Sequence, residues 1–110
     1  MRFFLSAVVC LGMAAPVHAR VYEGSEAAAL RCSNTLALTA VALNSANMIS
    51  TQEKEVMLQV TLLILERHVS GTWGQKKAAL AVMRDRRSIP DTLTDYRKNA
   101  VKCLRQFPIN

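Results

Sequence analysis

Few residues in this chain could do covalent or acid–base chemistry. His68 is the one histidine after residue 19. It would have to act as a base beside a serine or cysteine, and no nucleophile or orienting carboxylate is paired with it in sequence. Glu66 lies two positions away, on another face of a helix. A cation at a helix C-terminus is the simpler role for His68. Asp91 and Asp95 are four apart, a spacing that could bind a metal or run acid–base catalysis. The same acids also suit the positive end of a helix, and Asp95 is placed to pair with Lys98. Met48, Met57 and Met83 are soft donors of the kind that bind copper(I). They fall on separate segments with no M-x-x-M spacing, which favours core packing. No H-E-x-x-H, C-x-x-C-H, glycine-rich phosphate loop or EF-hand pattern occurs. The expectation is therefore no catalytic residue, no metal site and no cofactor. A small hydrolase using His68 or the acids is the enzyme alternative.

The cysteines carry a different message, because of what precedes them. Arg2, the apolar stretch Phe3–Ala15, Pro16 and the small residue Ala19 form a secretory signal peptide pattern over residues 1–19. The apolar run is short of the ~20 residues needed to span a bilayer, which argues against a membrane anchor. Cleavage after Ala19 would remove Cys10 and leave Cys32 and Cys103. Two cysteines in an exported chain imply one disulfide. Two sulfurs and one histidine would not complete a zinc site. A bridge between Cys32 and Cys103 would stabilise a domain of this size by about 4 kcal/mol in the chain-entropy account. The expected location is the periplasm, or outside the cell.

Charge is unevenly spread. Residues 20–75 hold four Lys/Arg and five Glu, whereas residues 76–105 hold nine Lys/Arg and three Asp. Lys76, Lys77, Arg84, Arg86, Arg87, Lys98, Lys102 and Arg105 make a candidate surface for an anionic partner: lipid headgroups, a polysaccharide or an acidic protein. Some of these cations also complement helix C-termini. Nucleic acid is disfavoured, since export removes the chain from it and no recognition motif appears.

These residues need elements to position them. Four glycines and three prolines in 110 residues favour helices, and six aromatics leave the core to aliphatic side chains. Helical periodicity and capping signals predict four helices, at about residues 26–48, 52–69, 73–87 and 90–106. Ser25 is the expected N-cap of the first. Ser50-Thr51-Gln52-Glu53 and Thr72-Trp73-Gly74-Gln75 read as capping boxes, and Ser88-Ile89-Pro90-Asp91 as a start with proline in the first turn. Gly71 suits the position just past a helix C-terminus. The run Val56–Leu65 is apolar nearly all round and is expected to be the central helix, covered by three neighbours. The first helix has two apolar stripes. The second of them (Leu30, Ala37, Val41 and Met48) is a candidate face for a partner helix, a hydrophobic client or a second copy of the chain.

The sequence thus predicts an all-α domain over residues 20–110, pinned by Cys32–Cys103. In broad architecture it resembles the small one-disulfide helical proteins of the periplasm, including its acid-stress chaperones. Export signal, size, helical content and a single cysteine pair carry that resemblance, and the cysteine spacing here is wider. It implies no functional residue. The leading expectation is a non-enzymatic exported protein that binds a protein or anionic envelope component. The alternative is a stress chaperone that exposes apolar helices on dissociation or partial unfolding.

Overall fold

The computed structural model describes residues 20–110. The expected signal peptide and Cys10 lie outside the described residues. A short extended lead, Arg20–Glu23, enters helix α1 (Gly24–Ser45); α2 (Thr51–His68), α3 (Trp73–Asp85) and α4 (Ile89–Gln106) follow. No strand occurs among the described residues.

Local chemistry sets the helix ends. Ser50 Oγ accepts from Glu53 N at 3.0 Å while Glu53 Oε1 accepts from Ser50 N at 2.9 Å. Thr72 and Gln75 repeat this reciprocal pair at 3.0 and 3.1 Å. Each box satisfies two amides that a helix start leaves unpaired. Ser88 Oγ accepts from Asp91 N, with Pro90 in the first turn of α4 where its missing N–H costs nothing. The start of α1 departs from expectation. Ser25 is inside the helix, not its cap; Glu23 is the capping residue and gives no side-chain bond. Gly24, at φ +60°, makes the entry turn that a residue with a Cβ would resist.

The end of α1 is also earlier than the apolar pattern suggests. Asn47 takes a left-handed φ of +59°. Met48 N–H bonds back to Leu43 O at 2.8 Å, and Asn47 N–H to Asn44 O at 3.0 Å. This is a Schellman closure with asparagine in glycine's usual place. Met48 consequently lies in the turn, beyond the helix. Gly71, in contrast, does not close α2, whose last turn ends at the extended residue Val69. Gly71 sits two residues further on, in the α2–α3 link.

The largest revision concerns which helix is central. It is α1: the other three pack mainly on it rather than on one another. Between Ala29 and Ala40 it is buried on almost every side. Alanine, serine, cysteine and threonine are frequent there, and small side chains let three helices approach. α2, expected at the centre, instead rests along α1, and Val56 and Leu62 on its outer sides are 62% and 49% exposed. The α1 stripe of Ala29, Cys32, Leu36 and Ala40 is buried among neighbours within the same chain, whereas of the second stripe only Leu30 is buried. The core joins Ala29, Leu30, Cys32 and Leu36 of α1 to Ile64, Leu65 and Val69 around α2, Ala79 of α3 and Phe107 after α4. The Cys32–Cys103 disulfide, with Cα atoms 5.6 Å apart, ties α1 to α4 near that cluster.

The centre of α1 is unusually polar. Ser33 Oγ, Asn34 Nδ2 and Thr39 Oγ1 are buried and have no hydrogen-bond partner among the described residues. Each such group costs roughly 1–3 kcal/mol of lost hydration. Thr39→Val keeps the shape and removes the hydroxyl. We expect it to raise unfolding stability by about 1 kcal/mol in urea melts; a loss of stability would show that the hydroxyl is satisfied in solution.

Candidate functional site

Two hollows flank the exposed strip of α1, one on each side. The larger, an open groove of ≈ 760 Å³, runs between α1 and α3 and is crossed at one end by the lead Arg20–Tyr22. Ala27 and Leu30 of α1 and Ala79, Val82 and Met83 of α3 line its floor. Arg20, Arg31, Arg86 and Arg87 stand around it, and Asp95 is its one acidic residue. The smaller cleft, ≈ 220 Å³, lies between α1 and α4 beside the disulfide, with Lys102, Asn99 and Gln106 among its walls. Arg31 and Asp95 line both, so the hollows meet at these two residues.

One side-chain bond ties the lead to the α2–α3 link, and a second joins that link to α1. Tyr22 Oη donates to Ser70 O at 2.7 Å, and Ser70 N donates to Glu26 Oε2 at 2.6 Å. The Arg20 guanidinium lies 5.3 Å from the centre of the Tyr22 ring. The Ser70 bond keeps the Glu26 carboxyl below its ordinary range. Gly71 makes the close approach possible. At φ +96°, an added Cβ would fall 2.6 Å from Gln75 Oε1 and 2.9 Å from Tyr22 Oη.

Asp95 is the polar hub. Its Oδ2 accepts from Thr35 Oγ1 at 3.0 Å and from Arg87 Nη1 at 3.3 Å, and its Oδ1 accepts from Asn99 Nδ2 at 2.6 Å. It therefore connects α1, the end of α3 and α4. The expected outward-facing Asp95–Lys98 pair is replaced by this inward one, because Thr35 and Arg87 supply donors where Lys98 would point to solvent. Desolvation pushes the Asp95 pKa up, but the bonds from Asn99 and Thr35 and the charge of Arg87 outweigh it. The carboxyl is held below the usual aspartate range.

Of the eight cations expected to form one basic surface, Lys76 is buried and only Arg86 and Arg87 line the groove. Lys76 is 7% exposed, and its ammonium lies 5.1 Å from the centre of the Trp73 ring, so it is not available to a partner. Its alkyl stem lets it pack inward while the charge meets the indole face. Arg84 pairs with the adjacent Asp85 at 3.3 Å. Lys77, Lys98 and Arg105 are exposed but line neither hollow, and Lys102 borders the small cleft. Arg86 and Arg87 reach the groove. The candidate apolar face is likewise divided. Leu30 is in the core at 2% exposure, Ala37 is half-buried, Val41 is 48% exposed and Met48 is 71% exposed in the turn. Burial by α3 removes Leu30 from any continuous docking stripe.

Two groove residues, Arg20 and Arg31, fall outside the basic C-terminal half of the sequence. Arg31 had a signal, being the only charged residue between Ala27 and Ile49. No ion pair joins Arg20, Arg31 or Arg86 to a carboxylate among the described residues. His68 Nε2 lies 2.7 Å from Pro108 O, as a donor to that carbonyl, and the ring meets Phe107 edge-on at 5.4 Å. It anchors the C-terminal tail to the end of α2. No group of three or more His, Cys, Asp or Glu side chains suited to a metal occurs among the described residues. Comparison with family models, curated proteins and solved structures finds no match to this chain.

A depressed folded-state pKa stabilises the fold above the ordinary aspartate value of about 3.8. That contribution is lost as pH falls through the lower folded value. Asp95→Asn should cost about 1 kcal/mol at pH 7, by weakening charge-assisted bonds on a half-buried group. The cost should shrink at pH 3 and below. Urea melts at both pH values check this; an equal cost at both would mean that the charge contributes nothing.

Proposed function

We propose that this is an exported, non-enzymatic binding protein whose site is the α1/α3 groove, and that its partner carries negative charge beside apolar surface. One observation carries the reading: four arginines from three parts of the chain converge on an apolar floor with a single carboxylate among them. Guanidinium groups are always charged and favour oxyanions, often bidentately. Export rests on the signal pattern in residues 1–19 and on the disulfide, which suits an oxidising compartment such as the periplasm. No helix among the described residues is long and apolar enough to cross a membrane.

Anilinonaphthalene sulfonate, an aromatic anion with an apolar body, is a direct probe of such a site. It should bind the native, oxidised protein at neutral pH with about one equivalent. Binding should weaken steeply between low salt and about 1 M, where the screening length falls to about 3 Å. Arg31→Glu and Arg86→Glu, both at exposed positions, should each reduce affinity about tenfold or more without changing the melting temperature by more than a few degrees. Unaltered binding in both variants would remove the groove from consideration.

A second reading, a stress chaperone, is favoured by the exposure of Val56 and Leu62 on α2 and by the acid-sensitive tie at Asp95. Protonating Asp95 would loosen α4 and the end of α3 from α1. Dye binding would then rise severalfold from pH 7 to pH 3 in wild type, with helix content retained. Flat dye binding across that range would count against this reading.

A further inference from the structure

We infer that the occupant of the α1/α3 groove is a single alkyl chain ending in a carboxylate or phosphate, taken up as a free amphiphile; this rests on the groove reading above. The argument turns on what the walls offer. Arg20, Arg31 and Arg86 present guanidinium donors with no carboxylate partner among the described residues. An arginine side chain only donates. The acceptors that line the groove are already engaged: both Asp95 oxygens accept bonds from Thr35, Arg87 and Asn99, and the Tyr22 hydroxyl is joined to Ser70, while Glu26, which lies near Arg20, is not among the lining residues. The α1 and α3 backbones on either side are helical, so their amides and carbonyls are paired internally and offer no strand edge.

A ligand in this groove therefore meets cationic donors at the rim and apolar side chains on the floor. An extended peptide would leave its own N–H groups without acceptors, at a cost for each one buried. An alkyl chain has no such groups, and its oxyanion head only accepts. The guanidinium–carboxylate contact is already realised at one end of the groove, where Arg87 holds Asp95. Along α3 the floor and rim run from Ala79 to Arg86, a distance of roughly 10 Å at the helical rise. That length suits a medium-chain tail better than a diacyl lipid or a folded helix.

Titration of the oxidised protein with alkyl carboxylates and alkyl phosphates of six to twelve carbons, below their micelle concentrations, tests this by amide shift mapping in two-dimensional NMR. Shifts should concentrate at Ala27–Arg31 and Ala79–Arg87. Affinity should rise about fourfold per added methylene until the tail outgrows the floor. Decanoate and decyl phosphate should displace the sulfonate dye, whereas decyltrimethylammonium and a decyl maltoside should not. Arg31→Glu and Arg86→Glu should each weaken decanoate at least tenfold, and Val82→Asp should abolish the chain-length dependence. Equal binding of the cationic amphiphile, shifts mapping to α2, or binding only of an acidic helical peptide or of anionic vesicles would overturn the inference. Dye binding at the groove with no displacement by any alkyl anion would overturn it too, while leaving the groove reading intact. Failure of both dye and alkyl anions to perturb α1 or α3 would overturn the two together.

Discussion

Enclosure of α1 is the constraint on which the rest of this structure depends. A helix surrounded by three others must present small side chains where the neighbours come close, and Ala29, Cys32, Ser33 and Ala40 do so. The short α3 covers only part of one side of α1, and the gap it leaves is the groove. α4 is tied to α1 on the other side of Arg31 by the Cys32–Cys103 bridge and by Asp95. The disulfide chiefly restricts the unfolded chain. The Asp95 bonds act in the folded state, setting the end of α3 and α4 at fixed positions relative to Thr35.

Much of this was legible in sequence, because local rules operate at the helix ends. Serine or threonine followed three residues later by Glu or Gln marks the starts of α2 and α3, and both boxes form as written. The cysteine pair was legible from the count that remains when residues 1–19 are read as an export signal. The central helix was misjudged for a physical reason. Hydropathy rewards large aliphatic side chains, so Val56–Leu65 stands out, whereas close packing rewards small ones, which score as neutral. The polar residues Ser33, Asn34, Thr35 and Thr39 further mask the burial of α1. Nothing in a one-dimensional pattern indicates that a hydroxyl is to be buried without a partner.

The site was legible only in part. Clustering of basic residues in the C-terminal half pointed to Arg86 and Arg87, which line the groove, and also to Lys76, which is buried. Proximity in sequence does not decide which way a side chain faces, and Lys76 packs against Trp73 while Arg84 meets its neighbour Asp85. Arg20 comes to the groove through tertiary structure, because Tyr22 binds the Ser70 carbonyl, whereas Arg31 is carried there by α1. Gly71 belongs to this arrangement for the space it leaves rather than for closing a helix. Its missing side chain lets the lead pass over the α2–α3 link.

The groove also carries an energetic tension that bears on its role. Arg31 and Arg86 line the floor with no ion pair to a carboxylate among the described residues, Arg20 shares the field of Glu26, and Arg87 is paired with Asp95. Like charges held on a low-dielectric surface repel more strongly than in bulk water. The bridge, the Asp95 bonds and the Tyr22–Ser70 tie hold them there in spite of that. An anion entering the groove relieves the repulsion in the folded state alone, because the unfolded chain disperses the same arginines. On the groove reading proposed above, binding and folding would therefore be linked, and the bound form would be the more stable by mass action. A surface that served only for solvation would gain nothing by converging its cations. Arg20 and Arg31 come from the otherwise weakly charged N-terminal half, and that convergence is the physical ground for treating the groove as a site.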